Sequence, residues 1–141
     1  MRSLLVVGLI FSFLFVCIAQ EKSKWKRLIT YDDSALDLNL TKVTLGEGDS
    51  GKVEFRTTLN KPAPLRGVAG ASYKSLDEDM EFRCADRAYR LMQVTYYDSK
   101  GKVVSSEESK PPVEWKSAGS STMMKLLTPA CALIREKRQS P

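Results

Sequence analysis

The sequence predicts an α+β fold. It describes a single twisted antiparallel sheet of five or six strands, with one C-terminal helix packed on a face and disulfide-linked to it. Three observations predict this. Apolar and polar residues alternate through most of residues 25–106, the period of half-buried strands. Near residue 120 the apolar spacing changes to steps of three and four, the period of an amphipathic helix. Cys84 lies in the first kind of segment and Cys131 in the second, so a bond between them pins the helix to the sheet.

The first 19 residues stand apart from the rest. "MRSLLVVGLIFSFLFVCIA" opens on Arg2, continues as an unbroken apolar run and ends in the small-residue pattern Cys17-Ile18-Ala19, the grammar of a secretory signal peptide. About 15 apolar residues fall short of the roughly 20 a membrane span needs. An uncleaved anchor is the alternative, and a lipoprotein signal at Cys17 is disfavoured by bulky Phe15 and Val16. Cleavage after Ala19 leaves residues 20–141 as one domain, secreted, periplasmic or at the cell surface, with no stable membrane span.

"KWKRLITYDD" is the first strand, with Trp25, Leu28 and Tyr31 as its bulky residues. "ALDLNLTKVTL" (35–45) follows, with Leu36, Leu38 and Leu40 on one face. "GEGDSG" (46–51) is a turn by composition and links it to "KVEFRTTL" (52–59) as a hairpin. "NKPAPLRGVAGAS" (60–72) has two prolines, two glycines and no period, and is expected as the longest loop, a length uncommon unless functional. "MEFRC" (80–84) turns Met80, Phe82 and Cys84 inward. After a tight turn, "AYRLMQVTYYD" (88–98) is a long strand with Met92, Val94 and Tyr96 on its core face. "DSKG" turns into "KVVSS", and the prolines of "KPPVEW" (110–115) suit an extended connector. In "SSTMMKLLTPACALIREKR" the residues Met123, Met124, Leu127, Ala130, Cys131 and Ile134 share a helix face. Ser120 or Ser121 caps it, and Thr128-Pro129 predicts a break or kink. The methionine pair reads as core packing.

Composition excludes whole classes of function. The 141 residues contain no histidine, which removes the commonest general base and metal ligand, and with it Ser-His and Cys-His catalysis. Carboxylates are numerous at Asp32, Asp33, Asp37, Glu78, Asp79, Glu81 and Asp86, but their spacing singles out no glycosidase-type pair. "DDSALD" and "GEGDSG" lack calcium-loop spacing. No enzyme, metal site or cofactor is expected. Losing Arg2 with the leader leaves 21 Lys and Arg against 17 acidic residues, a net charge of +4 spread along the chain, so no nucleic-acid partner is expected either. "NLT" (39–41) matches a glycosylation acceptor, which matters only in a eukaryotic source.

With Cys17 removed, Cys84 and Cys131 allow a single pairing in an oxidising compartment. That disulfide closes a loop of 47 residues and stabilises by about 4 kcal/mol on the chain-entropy view.

The order of these pieces resembles the surface-adhesin protein E family of secreted bacterial domains. Tyr73 and Ser75 precede the strand that ends at Cys84. Tyr89, Arg90 and Leu91 open a strand closing on Tyr96, Tyr97 and Asp98, and Trp115 precedes the helix carrying Cys131. "WKRLITYDDSALDLN" matches the family's opening strand more loosely. The resemblance covers essentially the whole chain after the leader. It implies a six-stranded antiparallel sheet with a disulfide-tethered C-terminal helix. It also implies a non-enzymatic role, the binding of host extracellular-matrix or envelope proteins. The expected contact surface is the 60–72 loop with Lys61, Arg66 and Lys74, and Tyr73 as its aromatic anchor. The alternative is a structural, self-associating envelope protein, since an open sheet edge allows a homodimer.

Overall fold

The structure is a computed structural model that describes residues 24–140. The expected leader at 1–19 lies outside the described residues. Seven strands and one helix follow in chain order: β1 Trp25–Thr30, β2 Ser34–Leu45, β3 Ser50–Pro64, β4 Ser72–Arg83, β5 Ala88–Tyr97, β6 Val103–Glu108, β7 Lys116–Ser117 and α1 Ser121–Gln139. The first six form an antiparallel meander in the order β1-β2-β3-β4-β5-β6, and the two-residue β7 pairs with the start of β5. Each connection is short, and its chemistry is local. In the β5–β6 turn, for example, the Asp98 carboxylate accepts from the Lys100 and Lys102 amides at 2.8 and 2.9 Å while Gly101 takes a φ of 78°, a conformation that favours glycine.

Alternation divides the sheet into two faces. Leu36, Leu38, Val53, Phe55, Met80 and Phe82 form the apolar one. Phe55 and Phe82 are fully buried and meet edge to face at 6.0 Å. Onto this face α1 lays Leu126, Leu127, Ala130, Cys131, Leu133 and Ile134. Ser120 caps the helix by accepting from the Met123 amide at 3.2 Å, which satisfies one of its orphan donors. Its last turns are held by Arg135 on Asp49 at 2.6 Å and by Arg138 donating to the Gly46 and Ser50 carbonyls. The Cys84–Cys131 disulfide is formed, with its Cα atoms 5.7 Å apart.

Three sequence expectations are corrected. The 60–72 loop is shorter than expected, because β3 runs on to Pro64 and β4 begins at Ser72, leaving 65–71 as the connection. Both prolines fit a strand there. The β2 pairing ends at Leu59, so residues 60–64 have β4 on one side only, the edge position where a missing N–H costs no ladder bond. The helix does not break at Thr128-Pro129. It continues from Ser121 to Gln139 with Pro129 inside, since the turns on either side bury apolar residues on the same sheet face. In β5, Asp79 pairs with Gln93 and Met80 with Leu91, so Met92 is bulged out of register. A bulge reverses the alternation. Tyr89 and Leu91 therefore pack on the core, while Met92 lines a hollow with Lys52 and Glu81.

Replacing both Cys84 and Cys131 with serine is expected to cost about 4 kcal/mol of unfolding free energy in urea titrations. Gly51→Ala is expected to cost about 1–3 kcal/mol. A Cβ there would lie 3.0 Å from both Ile134 Cγ1 and the Thr44 carbonyl oxygen, and so would lift the helix from the sheet.

Candidate functional site

The face without the helix is a lattice of charge. Arg27, Asp37, Arg56 and Asp77 follow one another across β1 to β4 in register. Arg27 meets Asp37 at 2.5 Å, and Arg56 grips Asp77 with two bonds of 2.6 and 2.7 Å. The bond to Asp77 raises the Arg56 guanidinium above its ordinary value against the pull of burial. Beside them, Lys42 bonds Glu54 and reaches Asp79 at 3.2 Å. Burial pulls the Lys42 ammonium down, but these two carboxylates outweigh it and raise it. Asn39 donates to Glu54 at 2.8 Å and accepts from the Thr41 and Lys42 amides, which fixes the irregular stretch of β2 between Leu38 and Val43.

Aromatic rings cover this lattice. The Arg56 guanidinium lies 4.3 Å from the Trp25 ring centre and 5.6 Å from that of Tyr97, while Arg83 and Arg90 both lie 4.4 Å from Trp115. Such contacts add attraction and exclude water. The result is that Asp37, Asn39, Glu54 and Asp77 are buried on the polar face of the sheet.

This network accounts for most of the carboxylates that could have served catalysis. Asp37, Asp79, Glu81 and Asp86 pair with Arg27, Lys42, Arg90 and Arg83 respectively. Asn39 of the NLT triplet is 3% exposed with its amide on Glu54, so it presents no acceptor for a glycan. Among the described residues no three Cys, Asp or Glu side chains gather as metal ligands do, and no helix is long and apolar enough to cross a membrane.

The anticipated contact residues fall in two places. Lys61 and Tyr73 line one depression of about 480 Å³, together with Asp32, Asp33, Leu59, Asn60 and Ala63. The depression is assembled from the β1–β2 turn, the irregular part of β3 and the start of β4. Asn60 sews these together, donating from its amide nitrogens to the Asp32 and Asp33 carbonyls and accepting from Lys74 Nζ at 2.5 Å. Lys74 is thereby committed to the scaffold. The Tyr73 ring packs edge to face on Tyr96 at 5.1 Å. The Lys61 ammonium, the Asp32 carboxylate and the Tyr73 hydroxyl have no partner within the described residues, which leaves them available at a concave surface. Arg66 lies apart, exposed in the 65–71 connection.

Two features escaped the sequence reading. One is a second hollow, of about 580 Å³, formed by the β2–β3 turn, Glu81, Arg83 and Trp115. Its parts are distant in sequence, and no local pattern joins them. The other is Glu78, which sits in the apolar row between Phe55 and Val94 with no cation or donor on its carboxylate. Burial alone raises it above the ordinary 4.5.

The comparisons with known proteins agree with this architecture. The family model described as surface-adhesin protein E matches residues 25–132. Two solved structures of Haemophilus influenzae protein E are similar in fold. One is 13% identical with a TM-score of 0.60, covering 82% of this chain and 89% of its own, and a second crystal form is 12% identical with a TM-score of 0.57, covering 79% and 89%. At these identities the likeness concerns the fold. The curated proteins contain no match.

Glu78 yields a pH-dependent expectation. A carboxyl raised by folding contributes stability that is fully present below its ordinary 4.5 and is lost as pH rises through the folded value. Glu78→Gln is therefore expected to match the parent near pH 4 and to melt higher at pH 7. A thermal melt series across this range checks the sign.

Proposed function

The chain belongs to the surface-adhesin protein E family, and on that premise we propose that it is an exported, non-enzymatic module that holds a protein partner at the depression around Lys61 and Tyr73. Matrix or envelope proteins are the partner class this reading favours. The observation that carries it is the combination found there. An aromatic ring is anchored from behind by Tyr96, and beside it stand a free ammonium and a free carboxylate, in a hollow built by three separate segments. Tyrosine in such a setting offers contact area at low entropic cost and is a frequent interface anchor. Family membership supports a surface role. The engagement of Asp37, Asp77, Asp79 and Glu81 with arginine and lysine supports the non-enzymatic reading.

The test is capture of immobilised matrix and envelope proteins by the purified chain. Tyr73→Ala and Lys61→Ala are expected to weaken capture, by roughly ten-fold or more for the tyrosine if it is an anchor. Arg66→Ala, outside the depression, is expected to change it little. Equal capture by all three variants would sink the assignment of this surface.

A further inference from the structure

We propose that the depression at Tyr73 receives a guanidinium, the arginine side chain of a partner protein, and that Lys61 meets an acidic residue beside that arginine. This rests on the partner-binding reading above and names the chemistry that surface selects.

The backbone beside the depression sets the first condition. Leu65 donates its N–H to the Ala71 carbonyl and Ala63 pairs with Tyr73, so residues 63 and 65 turn their backbone groups toward β4. Alternate residues of a strand turn theirs the other way. Asn60 does so, donating its N–H to the Asp33 carbonyl just past the last pairing with β2. Positions 62 and 64 face the same open side, and both are proline. Beyond Asn60 this edge therefore carries carbonyl oxygens and no N–H. Prolines there blunt the edge against an added strand, whose ladder needs donors as well as acceptors. The edge suits a ligand that only donates.

The lining side chains set the second. Asp32 and Asp33 both line the depression and both are exposed. Asp33 accepts from the Ser34 hydroxyl at 2.8 Å, while the Asp32 carboxylate has no partner within the described residues. The Tyr73 ring is braced edge to face by Tyr96 at 5.1 Å. Carboxylate charge, carbonyl acceptors and an aromatic ring fit a guanidinium, which offers five N–H donors in one plane, accepts nothing and stacks on rings. An ammonium matches the charge but not the plane. The chain builds this combination once within itself, where Arg56 grips Asp77 with two bonds and lies 5.6 Å from the Tyr97 ring centre. Lys61 is the one cation among the lining residues and opposes a lone guanidinium. Its unpartnered ammonium is matched when the partner's arginine has an acidic neighbour.

The test is a titration of the isotope-labelled chain, disulfide intact, followed by amide NMR. The probes are N-acetyl-arginine amide, its lysine counterpart and the uncharged citrulline counterpart. The arginine probe is expected to give saturable shifts at Asp32, Asn60, Ala63 and Tyr73, in the millimolar range of one small contact. The lysine probe is expected to bind several-fold more weakly and the citrulline probe not to saturate. Asp32→Asn and Tyr73→Ala are each expected to weaken arginine about two- to five-fold, with dispersed spectra showing both variants folded. Lys61→Ala is expected to tighten the lone probe roughly two-fold, although it weakens capture of a whole partner. Arginine and citrulline shifts of equal size, saturation at residues elsewhere, or no saturable shift would each overturn the inference. The two readings fail separately. Capture lost in Tyr73→Ala without arginine binding overturns this inference and leaves the partner surface standing. Arginine binding with capture unchanged in Tyr73→Ala supports the guanidinium chemistry and overturns the partner surface.

Discussion

The close approach of Ile134 of the helix to the backbone of β3 at Gly51 is the contact on which the helix-bearing side depends. A side chain at residue 51 would meet Ile134 and the neighbouring strand at once, so glycine is what allows the helix to lie against the sheet. The disulfide holds that approach from one side, through Cys84 just beyond the end of β4. Arg135 and Arg138 hold it from the other, through the β2–β3 turn. A sheet face with this much apolar surface is not stable uncovered, and a single helix of 19 residues is a modest cover. The crosslink compensates by limiting the freedom of the unfolded chain, a common resource of small domains.

The opposite face solves a different problem. Among the described residues no second layer covers it, yet it buries four polar side chains. Isolated buried carboxylates are costly, but here each accepts from a cation on the adjoining strand, and one of those cations, Arg56, also lies against Trp25 and Tyr97. Removing one partner of such a pair costs more than the pair contributes, because the other charge stays behind. The lattice therefore acts mainly on specificity. Arg27, Asp37, Arg56 and Asp77 alternate in sign along a single row, and sliding one strand by one residue would break every pair in it. Glu78 is the exception that locates the boundary between the two regimes. It lies in the apolar row and has no cation.

Much of this could be read from residue order alone. Strand existence, the switch to helical period, the cap at Ser120 and the Cys84–Cys131 bond all follow from local pattern and cysteine arithmetic, and the structure has them. The misreadings have a common cause. Pro62 and Pro64, with two glycines and no period, suggest a loop, and which side of β3 is open to accommodate them is a matter of tertiary pairing. Pro129 suggests a break because propensity knows nothing of the six apolar residues, on both sides of it, that bury the continuous helix against the sheet. Met92 was given to the core because alternation was counted through a bulge that only the pairing with β4 reveals. Of the expected contact residues, Tyr73 and Lys61 line one depression, while Lys74 bonds the Asn60 carbonyl, and Asp32 enters from a turn that no local pattern connects to them.

The location of that depression bears on how fold and recognition are divided. It lies where β2 stops short of β3, at an irregular run of strand that carries two prolines and whose pairing with β4 is interrupted between Thr58 and Ala63. None of its residues belongs to the buried cluster under the helix, and none touches the disulfide. Substitutions there change the concave surface without disturbing Gly51, Ile134 or the charged lattice. A sheet whose stability is invested in its helix seam and its ion-paired rows can therefore vary this concave surface freely, and a shared fold does not fix a shared function. That separation fits a fold shared with a protein E structure over most of both chains at 13% identity.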